Sequence, residues 1–350
     1  MKWIRKHKIL TALLVFLLIV LILVGIVVGY VYSKLSLINY DNGSANNYLD
    51  ESEPPEEAKE FLAEIEASGP GVDISGLEEM ETFPVIPEAE IQEDDEIFNI
   101  LLMGTDSYDG SLTKYARSDC MILVSINKTE KTVKLVSLER GIGVYMEYGE
   151  MAGQYDLLTH AFRWGGAQLV CDCVENHLRV EVDRYVRVTF TTVEDVVDAI
   201  GGIDVELTEA ETNALKGMQP GMNHMNGKQA LAFARLRKID SDWQRVERQR
   251  KVILAAVKAL KGASLTELDE VLNVALPNVQ TDMTMLEIAD LLLYAPNFLK
   301  SEFDQMTIPK DGTYGYKDGI KGFAVDYELN SQILREFLYG AEEEEETTTP

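Results

Sequence analysis

The chain has 350 residues and a formal net charge of −27, with length and apolar content for one large folded domain or two ordinary ones. The charge is unevenly placed: +5 on residues 1–40, −18 on 41–96 and −5 on Glu342 to Glu346, which leaves −9 on 97–341. A body so mildly acidic, with no basic domain and no aromatic–basic interleave, argues against a nucleic-acid binder.

In chain order, residues 1–8 form a basic tail with Lys2, Arg5, Lys6 and Lys8. The run ILTALLVFLLIVLILVGIVVGYVYS, Ile9 to Ser33, then has 25 residues without an ionisable acid or base. A helix of that length spans about 37 Å, enough to cross a bilayer with some tilt. The run is longer than the apolar core of a cleaved signal peptide, so an N-terminal anchor is expected. The flanking cations place the N-terminus in the cytoplasm and everything after residue 34 outside. Residues 34–96, rich in Glu, Pro, Gly and Ser, read as an acidic linker that includes a short amphipathic helix after Pro54-Pro55. Residues 341–350 read as an acidic tail. Cys120, Cys171 and Cys173 offer no disulfide framework and no Cys/His metal spacing, and read as buried thiols.

The folded part, 97–340, opens with IFNILLMGTD, a buried strand ending at Asp106. DCMILVSIN (Asp119 to Asn127) is apolar on both alternating faces, as a central strand is, and KTVKLVSLE (Lys131 to Glu139) is its neighbour. Gly165 to Leu178 reads as helix and YVRVTF (Tyr185 to Phe190) as strand. A helix capped by Thr191 or Thr192 ends at Gly201-Gly202, and the strand IDVEL follows. A long helix to about Leu260 and helices near 267–275 and 284–299 complete the chain. The alternation predicts one α/β domain, an α-β-α layering around a central mixed sheet, behind the N-terminal transmembrane helix.

Two carboxylates, Asp106 and Asp119, stand at the mouths of adjacent strands. Such a pair either shares a hard dication such as Mg²⁺, with waters and phosphate oxygens completing the shell, or serves as a turn cap and an Arg117 partner. The segment FARLRKIDSDWQRVERQR (Phe233 to Arg250) gathers six Lys or Arg in eighteen residues. Arg235 and Arg237 alternate, and Arg245 and Arg248 lie at i and i+3 on one helix face with Gln249 beside them. Cations at a helix N-terminus oppose its dipole, so they either meet an anion there or pair with Asp240, Asp242 and Glu247. His160, His177 and His224 have no partner at ligand spacing.

The ordered set LLMGTD, ARSDCMILVSIN, VSLERGIGV, LTHAFRWGG, DRYVRVTF, VVDAIGGIDVEL and NGKQALAFARLRKIDSDWQRVERQR resembles the LytR-CpsA-Psr family over nearly all of 97–340. The resemblance implies an extracytoplasmic phosphotransferase of a Gram-positive-type envelope. Such enzymes move a glycopolymer, teichoic acid or capsule, from a polyprenyl-pyrophosphate carrier to a wall acceptor, typically peptidoglycan. By motif it implies Asp106 and Asp119 at the Mg²⁺ site, and Arg117, Arg140, Arg235, Arg237, Arg245, Arg248 and Gln249 at the pyrophosphate. The set Asp106, Asp119, Arg140 and Arg237 is expected to carry catalysis. Two departures stand out. The usual Ser-x-Pro-Arg-Asp is SLERG here, with Glu139 for Pro and Gly141 for Asp, and the Asn-Ala-Ala-Tyr run is Thr159-His160-Ala161-Phe162. The general base is therefore open, with His160 one candidate. Rival readings are a lipid pyrophosphatase that uses water, a non-catalytic anchored receptor for wall polymers, and a transcriptional regulator, the last opposed by the topology.

Overall fold

The computed structural model describes residues 27–41, 74–106, 116–236, 242–298 and 303–340. Thirteen strands and eight named helices follow one another: β1 (Asn39–Tyr40), β2 (Ile97–Asp106), β3 (Arg117–Asn127), β4 (Thr132–Leu138), β5 (Gly143–Tyr145), β6 (Tyr155–Leu157), α1 (Leu158–Leu178), β7 (Arg184–Thr189), α2 (Phe190–Ala199) and β8 (Ile203–Leu207). Then come α3 (Glu209–Ala214), β9 (Gly221–Met225), α4 (Gly227–Ala234), α5 (Asp242–Gly262), α6 (Leu265–Ala275), β10 (Val279–Thr281), α7 (Met285–Phe298), β11 (Asp304–Ile308), β12 (Tyr314–Gly315), β13 (Ala324–Val325) and α8 (Tyr327–Tyr339).

The main sheet has seven strands in the order β1-β10-β7-β2-β3-β4-β11. It is mixed: β2/β3, β3/β4 and β7/β10 run antiparallel, β2/β7, β4/β11 and β1/β10 parallel. The period of two along a strand divides its residues between two cores. Leu101, Met103, Met121, Leu123, Val136 and Leu138 pack with α1 and α8 on one side. Ile100, Ile122, Ile126, Val133 and Leu135 pack with Phe190, Ile253 and Ile288 from α2, α5 and α7 on the other. Strands apolar on both faces demand this arrangement, and the expected α-β-α layering follows from it.

Several elements differ from their sequence reading. The helix expected from Gly165 begins at Leu158, and Gly165-Gly166 is a kink inside it, with Gly166 at φ 73°. The helix expected behind Thr191 or Thr192 is capped by Thr189, whose hydroxyl accepts the Thr192 N–H. IDVEL is a strand but pairs only with β9, in a separate two-stranded sheet. Its exposed Asp204 and Glu206 alternate with buried Ile203, Val205 and Leu207, a pattern for a ribbon with one wet face. The acidic 34–96 stretch is partly built into the fold. Lys34 pairs with Asp269, β1 extends the sheet beside β10, Gln92 bridges Val180, and the Arg179 guanidinium holds the Pro87 carbonyl. The expected helix after Pro54-Pro55 lies outside the described residues, as do 1–26 of the basic tail and apolar run and the tail 341–350. Among the described residues no helix is long and apolar enough to cross a membrane; residues 27–35, which close the apolar run, are helical. All three cysteines are free and buried.

The end of α1 carries two titratable groups of opposite tendency, His177 buried and Glu175 half-buried. His177 Nδ1–H donates to the Cys173 carbonyl at 2.8 Å, and Nε2 accepts the Tyr145 N–H at 3.0 Å. Burial holds its conjugate acid down to about 4. The unfolded imidazole binds its proton near 6.5, so this group's stabilisation is complete above that pH and is lost as pH falls through about 4. Burial raises the Glu175 carboxyl to about 7, so its stabilisation is present below the unfolded value near 4.5 and is lost as pH rises through about 7. The two oppose each other between roughly pH 4.5 and 6.5. We expect Glu175→Gln to unmask the histidine, with unfolding free energy dropping by about 2 kcal/mol from pH 7 to pH 5, and His177→Gln to lose that drop. Urea melts at the two pH values read both; a Glu175→Gln profile as flat as the parent's would refute the assignment.

Candidate active site

Asp106 pairs directly with Arg117 across the antiparallel β2/β3 ladder, with a bulge between Gly104 and Thr105. Directly opposed residues share a face of the sheet, whereas Asp119 is the extra β3 residue of the bulge, between Cys120 opposite Gly104 and Ser118 opposite Thr105, where strict alternation does not hold. The ladder thus brings both expected carboxylates and one arginine to one sheet end. The bulge is tight: a Cβ on Gly104 would come within 3.1 Å of Cys120 Cβ and 3.2 Å of the Phe190 ring.

Asp119 is the hub. It is buried and accepts from Arg140 Nη1 at 3.2 Å through Oδ1, with Arg117 Nη2 at 3.9 Å from Oδ2. Thr159, in the first turn of α1, donates its hydroxyl to Oδ1 at 3.3 Å. The Thr159 N–H is in turn fixed by the Arg140 carbonyl at 3.1 Å. Both arginines are buried, Arg140 to 1 % exposure and Arg117 to 9 %, and Arg117 Nε has no hydrogen-bond partner. A buried guanidinium left with spare donors is what an anionic ligand would complete.

From the opposite side, α5 brings Arg245 and Gln249 to the same sheet end. Gln249 Nε2 donates to the Asp119 carbonyl at 3.4 Å. Burial pushes the neighbouring Cys120 thiol up to about 12, Arg245 pulling it down and Asp119 adding to the rise. Arg235, at the end of α4, is half exposed. It reaches Asp106 Oδ2 at 3.3 Å and lies over the Phe190 ring at 5.7 Å. Arg237 lies outside the described residues. Arg248 is turned elsewhere: its Nη2 donates to the Leu236 carbonyl at 2.8 Å and Nη1 lies 3.7 Å from Glu211. These contacts tie the end of α4 to α3.

Two groups were not anticipated. Arg187 is fully buried on β7, donating to Thr105 Oγ1 at 3.1 Å and Gln280 at 3.0 Å, with its guanidinium 4.4 Å from the Phe162 ring centroid. The sequence signal was a cation in phase with buried Tyr185 and Thr189. The second is Asp156, at zero exposure, which accepts from Trp164 Nε1 at 3.0 Å and faces His160 Nδ1 at 3.0 Å and Lys321 Nζ at 3.4 Å. Burial raises its carboxyl, but the His160 hydrogen bond, the charge of His160 when protonated, the Leu157 N–H and Lys321 outweigh burial and bring it to about 2. An ionised carboxylate only accepts, so His160 Nδ1 carries a proton and, in the neutral ring, Nε2 is an acceptor.

Among the described residues no group of three His, Cys, Asp or Glu could form a protein cage for a metal. Two carboxylates at one sheet end instead fit a hard dication bound mostly by water and phosphate oxygens. Each is at present neutralised by arginine, Asp119 by Arg140 and Asp106 by Arg235.

A sequence profile of the LytR_cpsA_psr family matches residues 72–337. The chain belongs to the LytR-CpsA-Psr family. Among relatives, the polyisoprenyl-teichoic acid–peptidoglycan teichoic acid transferase TagU of Enterococcus faecalis is 33% identical over 247 residues, covering 69% of this chain and 78% of its own. The polyisoprenyl-teichoic acid–peptidoglycan teichoic acid transferase TagT of Bacillus subtilis is 31% identical over 252 residues, 68% of this chain and 74% of its own. Of solved structures, TagT bound to LI-WTA superposes with a TM-score of 0.57 at 28% identity, covering 73% of this chain and 94% of that one. B. subtilis TagV gives 0.55 at 30% identity, over 70% and 98%. Against the LytR-CpsA-Psr pattern the SLERG segment keeps its arginine, Arg140, on the Asp119 hub and places Glu139 fully buried. The family match also begins at residue 72, inside the acidic stretch expected to be linker, where residues 74–96 pack against the domain.

Proposed function

We propose that this LytR-CpsA-Psr protein is a membrane-anchored transferase that moves a glycopolymer from a polyprenyl diphosphate onto a cell-wall glycan, probing outward from an anchor at Ile9 to Ser33. The observation that carries this reading is the buried hub of Asp119 between Arg140 and Arg117, met by Arg245 and Gln249 from the other side of the sheet end. Several buried guanidinium groups around one carboxylate are suited to a highly charged anion, and a diphosphate offers the charge and the planar oxygens they bind. Its arrival would draw the arginines from Asp119 and Asp106 and release both carboxylates for Mg²⁺. When bound there, the cation would offset charge on the phosphate oxygens.

The acceptor hydroxyl attacks the sugar-linked phosphorus, the bond from that phosphorus to the bridging oxygen breaks, and polyprenyl phosphate leaves with the electron pair. Arg140, Arg117 and Arg245 neutralise the leaving phosphate, and Gln249 and Thr159 keep the hub in place. The acceptor proton goes to His160 Nε2, with Asp156 holding the ring by its Nδ1–H. In this chain the His160–Asp156 pair supplies a base where Gly141 replaces the family's aspartate.

The test is transfer in vitro with a polyprenyl-diphosphate-linked glycan and a soluble peptidoglycan fragment. Chelating divalent cations should reduce turnover by at least about 100-fold, restored by Mg²⁺. Omitting the acceptor should stop diphosphate cleavage. Cleavage at an equal rate without acceptor would mean a pyrophosphatase, and binding of the donor with no cleavage would mean a receptor.

A further inference from the structure

We infer that a second subsite, beside the charged hub, binds a sugar ring of the glycan; the inference rests on the transferase reading. A cavity of about 340 Å³ is lined by Trp243, Gln244, Glu247, Thr307, Pro309, Lys310 and Asp311. That volume is at the lower end for small-molecule sites and suits one or two hexose rings. Its chemistry differs from the hub. Glu247 and Asp311 against Lys310 give a net negative lining, which repels phosphate. Two carboxylates, an amide, an ammonium and the Thr307 hydroxyl offer the mixed donors and acceptors that sugar hydroxyls use.

One aromatic side chain, Trp243, lines the cavity, backed by Phe323 and Tyr314. Trp243, on the first turn of α5, stacks on Phe323 with centroids 6.0 Å apart and an interplanar angle of 23°, and lies 5.0 Å from Tyr314, itself 5.4 Å from Phe323. A broad indole beside convergent polar groups is complementary to a pyranose, which has apolar C–H faces and a polar rim.

Its position ties it to the chemistry. Phe323 is clamped to the loop that follows Arg140: its N–H donates to the Gly141 carbonyl at 2.8 Å, and its carbonyl accepts from Gly143 N–H at 2.9 Å. A Cβ on Gly143 would fall 2.3 Å from Ile320 Cγ2 and 2.7 Å from the Lys321 carbonyl, so the two segments are in close contact. Lys321, two residues from Phe323, reaches Asp156 of the His160 pair. On the α5 side, Arg245 and Gln249 follow Trp243 by two and six residues. Thr307 accepts from Arg250 Nη1 at 3.3 Å. One wall of the cavity therefore leans on the segments that position Arg140, Asp156 and Gln249, where the sugar nearest a reacting phosphate or hydroxyl has to be held.

The sugar could be that of the acceptor or the first of the donor, and three probes separate them. Wild type, Trp243→Ala and the milder Glu247→Gln are titrated with a soluble GlcNAc–MurNAc disaccharide, farnesyl diphosphate, and farnesyl diphosphate linked to GlcNAc. For an acceptor subsite, disaccharide affinity falls by about tenfold or more in Trp243→Ala and by less in Glu247→Gln, while both diphosphates bind as before. For a donor subsite, wild type prefers the GlcNAc-linked diphosphate and both variants lose that preference. Sugar binding unchanged in both variants overturns the proposal, as does an equal loss of all three ligands in Glu247→Gln. Failure of wild type to bind farnesyl diphosphate would refute the transferase reading instead, while the disaccharide arm still decides the subsite.

Discussion

Asp119→Asn should abolish transfer, with a fall of at least about 100- to 1000-fold, while diphosphate itself binds no worse than before in the absence of Mg²⁺. The amide has the carboxylate's shape, so packing around Thr159 and Gln249 is preserved. What is lost is the negative charge between Arg140 at 3.2 Å and Arg117 at 3.9 Å, both buried. Breaking a buried pair by neutralising one member leaves the other's desolvation uncompensated, here by roughly 3 kcal/mol. An anion returns that compensation. Inorganic pyrophosphate, without added metal, should therefore raise the melting temperature of Asp119→Asn by more than it raises that of the parent. A structural role for Asp119 would give lower stability with no such gain, because then pyrophosphate would have no reason to favour the variant. Transfer at the parental rate, or equal thermal shifts in the two proteins, would remove Asp119 from the site.

How much of this was legible in the chain depends on the range over which each signal acts. β2 and β3 were visible because their alternating faces are both apolar, which only burial between two layers explains. The register that puts Asp106 opposite Arg117 was not visible, since it depends on the Gly104/Thr105 bulge. The short strands β1 and β10, of two and three residues, carry too few residues for a period to appear. Charge misled over 34–96: nineteen acidic residues between 41 and 96 obscured Leu35 and Ile38, both buried. Arg245 and Arg248 share a helix face by spacing, yet three residues leave about 60° between them at 3.6 residues per turn. That angle is enough to send one to the Cys120 end of the sheet and the other to Glu211. His160 and Asp156 stood at i and i+4 in plain sight, but Asp156 belongs to β6 and His160 to α1, so a reading confined to helical faces does not join them.

That pair gives the second large effect. His160→Gln should cost about 100- to 10,000-fold in transfer, the range that general-base catalysis commonly supplies. Asp156→Asn should cost nearly as much by a different route. The Asp156 carboxylate, held to about 2, stays ionised at any working pH and requires the proton on Nδ1. An amide in its place can donate instead, which moves the imidazole proton to Nε2 and leaves no lone pair for the acceptor hydroxyl. Because both changes disable one proton acceptor, the double variant should be scarcely slower than either single one. Independent contributions would multiply, and a product of the two losses in the double variant would show that Asp156 acts only through Trp164 and Lys321 packing. Donor affinity supplies the remaining control: Kd for the polyprenyl diphosphate should stay within about twofold in all three variants, since the pair touches neither Asp119 nor its arginines. Full turnover in His160→Gln would return the base to another group, and the SLERG substitution would then mark a site that runs without the pair.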